Sequence, residues 1–462
     1  MQFSVHKTLL LVSFSLAVQL SQAQTKQAMI DTLIERSHRL GLFTGNVLVI
    51  DHGKELYRKA IGAADASGKS YLTDQYRFHI GSIAKEFNAV SIMMLQEQGK
   101  LSIDDPITKY LDGLPGWADK ISIRNLLQYS SGLPDLQWKT ITSDALAMDA
   151  IKQAVKPDFA PGTQYAYNNS NTLLQRQIVA RVSGRSFASF VTQNILRPLK
   201  MSASLVDPDD AAPLMAKSYT NALVQAPLVS AISGWTAVTM DDFYKWEQSL
   251  EQFKLISPAS TKILLTPFAS GKQCGLGGGE MAGDQLGKHT HDGTAMQYQA
   301  LLTADVKQGR TVILLTNNRQ NSLYDINAAI QNILGGQTYV QPKKQLITAW
   351  QDKLDTASVA GLIKAYQELK AKYPNDYNFN EPALNVVGYT LLGKKRYDSA
   401  IAVFEYNTIL FPHSGNAFDS LAEAYFNQGD KAKSLLNYER ALELDPSNAG
   451  AKEKINSLRQ QK

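Results

Sequence analysis

A chain of 462 residues with 44% hydrophobic and 19% charged content carries enough apolar material for two or three globular domains. Its net charge of +5 is mild and the basic residues are not clustered, which argues against a nucleic-acid or acidic-membrane surface. The single cysteine, Cys274, excludes an intrachain disulfide and a cysteine zinc cluster.

In chain order, Lys7 precedes the apolar run Leu9 to Leu20, and Ser21-Gln22-Ala23 offers the small residues of a cleavage site. Residues 1–23 therefore read as a cleaved secretory signal, which predicts a secreted or periplasmic protein. The run is too short to span a bilayer, and no other long apolar stretch implies a transmembrane segment. Thr44 to Asp51 is a β-branched run, His52-Gly53 a turn, and Glu55 to Ile61 the partner strand of a hairpin.

Phe78-His79-Ile80-Gly81-Ser82-Ile83-Ala84-Lys85 follows, leading into the apolar run Glu86 to Gln98. Ile83, Phe87, Val90 and Met94 recur at helical spacing and Gly99 is a stop, so Ser82 and Lys85 fall on one face of a starting helix. A serine hydroxyl is a weak nucleophile until a base takes its proton, and a desolvated amine can do that. The helix start adds free N–H groups where an oxyanion would form. The same spacing also fits an N-cap serine followed by a surface lysine, so the pair needs partners.

Two later stretches supply them. Tyr167 and Asn169 form a Y-x-N element on a loop before the apolar helix Leu173 to Val182. A phenol can relay a proton between serine, lysine and leaving group, and an amide can hold both the lysine and a substrate carbonyl. Shortly before the strand Tyr298 to Thr303 stands His291-Asp292-Gly293-Thr294. A strand edge there offers a second oxyanion N–H, and the glycine lets substrate approach the main chain. His289 competes with His291 for the role. His289-Thr290-His291 also reads as a metal pair, without a third ligand at a suggestive spacing. Gly275-Leu276-Gly277-Gly278-Gly279 lacks the strand–helix context of a phosphate loop and reads as a turn into a strand, with Cys274 a packed thiol.

Thr311 to Thr316 pairs with the preceding strand around Lys307-Gln308-Gly309, and a helix runs from Tyr324 to Leu334. Strands at both ends of a helical middle imply one antiparallel sheet with helices on its faces. After Gly335-Gly336 the chain turns helical. Tyr389 with Pro412, and Tyr425 with Pro446, repeat at about the 34-residue period of tetratricopeptide helix pairs. Leu346 to Tyr373 reads as a degenerate pair before them. The expected division is a hydrolase domain at 24–337, a linker and degenerate pair at 338–380, and repeats at 381–462.

Together these elements resemble the serine β-lactamase-related family, closest to class C β-lactamases, D-alanyl-D-alanine carboxypeptidases and related esterases. Ser82 and Lys85 match S-x-x-K, Tyr167 and Asn169 match Y-x-N, and His291-Asp292-Gly293 stands where the family has K-T-G or H-x-G. Phe43 to Val49, Ile123 to Leu127, Ser131-Gly132-Leu133 and Gly234-Trp235-Thr236 add to the likeness. The resemblance implies an α/β (α+β) fold of β-lactamase/transpeptidase type, with an antiparallel sheet, flanking helices and a helical domain, followed by the all-α tail. It implies that Ser82 forms an acyl-enzyme and that Lys85 and Tyr167 share the base role. Asn169 would orient Lys85 and substrate, and Gly293 and Thr294 would border the oxyanion site. No metal or organic cofactor is implied. The expected substrate is a small-molecule or peptide ester or amide, with a protein partner for the tail. His291 in place of lysine weakens attraction for a carboxylate, which favours esterase or D-amino-acid peptidase over efficient β-lactamase. Gln297 stands where the family has a glycine, narrowing the cleft. The contrasting expectation is an inert penicillin-binding-like module whose repeats do the work.

Overall fold

The computed structural model describes residues 25–460 apart from 139, 210, 229–231, 351–353 and 357. The signal-like segment at residues 1–23 lies outside the described residues. Contacts divide the chain into two compact units, Met1–Gln341 and Pro342–Lys462.

The first unit begins with helix α1 over residues 25–39, then strands β1 (Gly45–Asp51), β2 (Lys54–Ile61) and β3 (Phe78–His79). A 3-10 turn at Gly81–Ala84 runs straight into α2 (Lys85–Glu97). The helical middle comprises α3 (Ile123–Leu127), α4 (Asp144–Lys152), α5 (Asn169–Ser183) and α6 (Phe187–Val191). Short strands β4 (Leu205–Val206) and β5 (Thr236–Val238) precede α7 (Met240–Glu251) and α8 (Pro258–Leu264). Strands β6 (Gly278–Ala282), β7 (Gln285–Ala295), β8 (Tyr298–Asp305) and β9 (Arg310–Thr316) and helix α9 (Leu323–Leu334) complete it.

Six strands form one sheet in the order β2-β1-β9-β8-β7-β6, every neighbouring pair antiparallel. Side chains alternate between faces along a strand, and here both faces are covered. Val47, Val49, Val312 and Leu314 pack with Ile30, Leu33 and Ile34 of α1 and with Ile326 and Ile330 of α9. Leu48, Ile50, Ile313 and Leu315 face the larger core around α2. That two-sided burial explains why β1 is apolar without alternation. β3, β5 and β4 form a separate three-stranded sheet that seats Trp235 beside the start of α2, where the Ile80 amide bonds the Thr236 carbonyl at 3.2 Å.

α2 is buried on most sides, as its apolar spacing predicts, and Phe87 stacks on Trp246 of α7 at 4.1 Å between ring centres. Burying a side chain of that size is worth about 1.5–3 kcal/mol. Gln98 caps the helix and Gly99 leaves it at φ +68°, a conformation glycine adopts readily.

In the second unit, residues 346–373 hold a 3-10 turn at Leu346–Ala349 and one described α-helix, α10 (Val359–Lys372), where the pattern suggested a helix pair. Two antiparallel pairs follow, α11 (Glu381–Gly393) with α12 (Tyr397–Leu410) and α13 (Gly415–Gln428) with α14 (Lys431–Leu444), then α15 (Ala449–Gln460). Val387, Leu391, Phe404 and Leu421 knit the first pair to the second. Gly388 lies flat against the Phe404 ring, which leaves no room for a side chain.

Candidate active site

The starting turn of α2 is built on backbone contact. Gly81 has φ +55°, and a Cβ there would strike the Thr294 amide nitrogen of β7. A Cβ on Gly293 would strike the Ile80 carbonyl and lie 2.8 Å from the Ser82 nitrogen. Two glycines thus let strand and helix start touch main chain to main chain. β6 pairs with β7 only as far as Thr290, so residues 291–295 keep one edge free of a strand neighbour and turned toward Ser82. His291 to Thr294 precede the strand that starts at Tyr298, as the sequence placed them, and themselves form the end of β7.

Ser82 Oγ and Lys85 Nζ are 3.0 Å apart. Burial, and after it the positive charge of Arg176, hold the Lys85 amine down at about 7. Its Nζ lies 5.2 Å from the Tyr167 ring centre and 5.9 Å from that of Trp235. The Tyr167 hydroxyl hydrogen-bonds Ser82, and desolvation pushes it up to about 12 although the residue as a whole is 38% exposed. The phenol is therefore protonated at neutral pH, while the amine gives up its proton far more readily than an ordinary lysine.

The loop carrying Tyr167 is pinned from behind. Asn168 caps α5, donates to the Leu133 carbonyl at 2.9 Å and accepts from the Asn171 side chain at 2.7 Å. Ser131 donates to Asn171 at 2.6 Å, and the Tyr129 ring packs on Tyr167 at 4.7 Å. Asn169, the first residue of α5, lines the same small cavity as Lys85. Its side-chain amide makes no hydrogen bond among the described residues.

His289 and His291 are buried on the inner face of β7, not solvated on a turn. His291 donates from Nδ1 to Glu86 at 2.6 Å. His289 reaches Glu247 with Nδ1 at 2.6 Å and Glu86 with Nε2 at 3.0 Å, and Trp246 Nε1 gives Glu86 a third donor at 2.6 Å. Desolvation opposes charge on both partners. The Glu247 and Glu86 carboxylates nevertheless hold His289 well above its usual value, and the histidines hold the Glu86 carboxyl down at about 2. Both ring nitrogens of His289 are thus taken by carboxylates, which excludes the metal-pair reading for it. Sequence reasoning missed Glu86, Glu247 and Arg176. For Glu86 the one signal was a charge heading an apolar helical run; Glu247 and Arg176 stand among other polar residues and gave none.

Beside this cluster a cleft of about 410 Å³ is lined by Lys272, Gln273, Thr290, His291, Asp292 and Tyr324. Tyr324 donates to Asp292 at 2.8 Å. Gln297 sits in the β7–β8 hairpin turn after Met296, which has φ +52°. Cys274 is buried, its thiol pushed up to about 12 by desolvation, and it donates to the Leu264 carbonyl at 2.7 Å.

The beta-lactamase family model matches residues 27–335, two thirds of the chain and the whole of this site. The chain belongs to the beta-lactamase family. A tetratricopeptide repeat model matches residues 415–448, which are α13 and α14. This beta-lactamase family member is 26% identical over 381 residues to penicillin-binding protein 4* of Bacillus subtilis, covering 74% of this chain and 83% of that one. It is 29% identical over 250 residues to a beta-lactamase of Pseudomonas fluorescens, covering 53% and 69%. A class C beta-lactamase structure superposes with a TM-score of 0.57 at 21% identity, covering 68% of this chain and 96% of that one, and fixes the fold as mixed α/β of that type. The chain is accordingly a serine hydrolase of the beta-lactamase and penicillin-binding-protein group, with an all-helical tail. No helix among the described residues is long and apolar enough to cross a membrane.

Proposed function

We propose that this is an exported serine hydrolase in which Ser82 attacks the carbonyl of an ester or amide and forms an acyl-enzyme. The observation that carries this reading is the 3.0 Å approach of Ser82 Oγ to an amine held near 7. Lys85 in its free form takes the hydroxyl proton as the Oγ–carbon bond forms; Tyr167, protonated at neutral pH, is suited to donate to the leaving group. The carbonyl oxygen becomes an oxyanion between the Ser82 amide and the backbone at Gly293 and Thr294. Asn169 is poised to orient the substrate carbonyl. Water then resolves the acyl-enzyme and regenerates Ser82.

His291 spends its Nδ1 on Glu86 and leaves no lysine ammonium at this place for a substrate carboxylate, which supports esterase or D-amino-acid peptidase activity over efficient lactam hydrolysis. The leader-like residues 1–23 support export, and the repeat tail suits a protein partner.

The test is intact-mass spectrometry of the mature protein, and of Ser82→Ala, after p-nitrophenyl butyrate or a chromogenic cephalosporin. An adduct on the wild type that is absent from Ser82→Ala, with ester turned over faster than lactam, is expected. A long-lived lactam adduct would point to a penicillin-binding peptidase. No adduct and no turnover with either probe would overturn the reading in favour of an inert module.

A further inference from the structure

Arg176 lies on the third turn of α5, one of the most deeply placed charged residues in the first unit at 4% exposure. Its Nε and Nη2 have no hydrogen-bond partner among the described residues. Asn169, Thr172 and Arg176 share one face of α5 and line, with Lys85, Gly81 and Trp235, a cavity of about 10 Å³, room for little more than one water. Gly234 has φ +92° and no space for a Cβ, which would sit 2.8 Å from Arg176 Nε. The backbone there is folded down onto the guanidinium.

The nearby carboxylates do not neutralise it by direct bonding. Asp207 spends its oxygen on the Gly234 and Trp235 amides at 2.6 and 2.9 Å, and Asp144 accepts from the Ser233 amide at 3.0 Å. Burial draws the Arg176 guanidinium down to about 10, with Asp144 and then Asp207 pulling the other way. It stays charged at neutral pH. The other groups facing Lys85 offer it no carboxylate partner. Tyr167 and the Tyr129 ring behind it are protonated phenols, Asp292 of β7 pairs with Tyr324, and Glu86 points into the histidine cluster. Across this small cavity the charge that acts on Lys85 is that of the Arg176 guanidinium.

We propose that Arg176, which touches neither the nucleophile nor the reacting carbonyl, is a positioning residue that biases the Ser82–Lys85 pair toward a free amine by holding a buried positive charge behind it. An ammonium at Lys85 is repelled by Arg176, and a neutral amine is not. With little water in the cavity to screen the two, the preference reaches Ser82 as a proton acceptor ready at neutral pH. This inference rests on the assignment of Ser82 as nucleophile and Lys85 as base.

The experiment follows the rate of Ser82 labelling by a fluorophosphonate from pH 5.5 to 9.5 in the full mature chain. Removing a positive charge makes the Lys85 ammonium easier to hold, so Arg176→Met moves the acid limb of the profile to higher pH. The expected loss is about tenfold at pH 6.5, fading by pH 9.5. Arg176→Lys keeps the wild-type limb. Asp144→Asn strips a counter-charge from Arg176 and shifts the limb the other way, to lower pH. This variant also serves if Arg176→Met does not fold. A wild-type limb retained in Arg176→Met and in Asp144→Asn, or a loss uniform across pH, overturns the role of Arg176. Failure of the wild type to label at all would instead refute the assignment of Ser82.

Discussion

Lys85 and Glu86 are consecutive residues at the start of one helix, and they enter opposite electrostatic regions. On the cleft side, Lys85 meets a hydroxyl, aromatic faces and a like charge, so burial is not repaid and its proton is held loosely. On the core side, Glu86 meets three N–H donors and a charged histidine, and its negative charge is fixed more firmly than in water. The difference shows that depth alone does not set protonation. A buried charge with ionic partners is locked, and one denied them gives up its charge more easily.

The largest effect expected from breaking this contrast is on the cleft side. Lys85→Met should lower the labelling rate of Ser82 by about 10²–10⁴ while leaving thermal stability at pH 7 equal or higher, because relief of the buried amine's desolvation offsets its one hydrogen bond to Ser82. A large drop in melting temperature would show that Lys85 is structural. On the core side the balance reverses. Glu86→Gln leaves His289 and Glu247 with a broken network and should destabilise the protein by about 3–5 kcal/mol, read from urea unfolding.

The two sides also carry opposite pH signatures. Lys85 binds its proton less well folded than unfolded, so its share of stability rises with pH from about 7 toward its ordinary 10.5. His289 binds its proton better folded; its contribution is complete below its ordinary 6.5 and is lost as pH climbs through the raised folded value. Glu86 contributes fully above 4.5, and that contribution is lost as pH falls through about 2. Unfolding free energies measured across pH should lose the acid limb in Glu86→Gln and the alkaline rise in Lys85→Met. Unchanged limbs in either variant would refute the corresponding assignment. The smallest effect is expected of Trp246→Phe, which removes one donor to Glu86 and keeps the stack on Phe87. A loss of about 1.5–3 kcal/mol with labelling unchanged would place Trp246 in the core network alone.

Much of the scaffold was legible because its signals are local. The apolar β1 run, the hairpin around Gly309, the 3.6-residue rhythm of α2 and the repeat spacing of α11 to α14 are each contained within a short window. Ser82, Lys85, Tyr167 and Gly293 could be placed by motif for the same reason. The extent of β7 was not legible because its buried face carries His289, His291 and Gly293, which hides period-two patterning. β3, β4 and β5 are two or three residues long, below what alternation can reveal. The Glu86 clamp joins residues more than two hundred positions apart, and only the sheet brings them together. Arg176 was hidden by its surroundings, one of two arginines in a helix where either reads equally well as a solvated edge.

The paired glycines at 81 and 293 carry an evolutionary consequence. The distance between Ser82 and the strand is set by main-chain atoms that no ordinary substitution can adjust, so it is insulated from drift in the side chains around it. Loops bordering the cleft, such as those near Lys272 and Tyr324, can be rewritten without retuning the reacting atoms. A lineage built this way should change what it cuts far more readily than how it cuts.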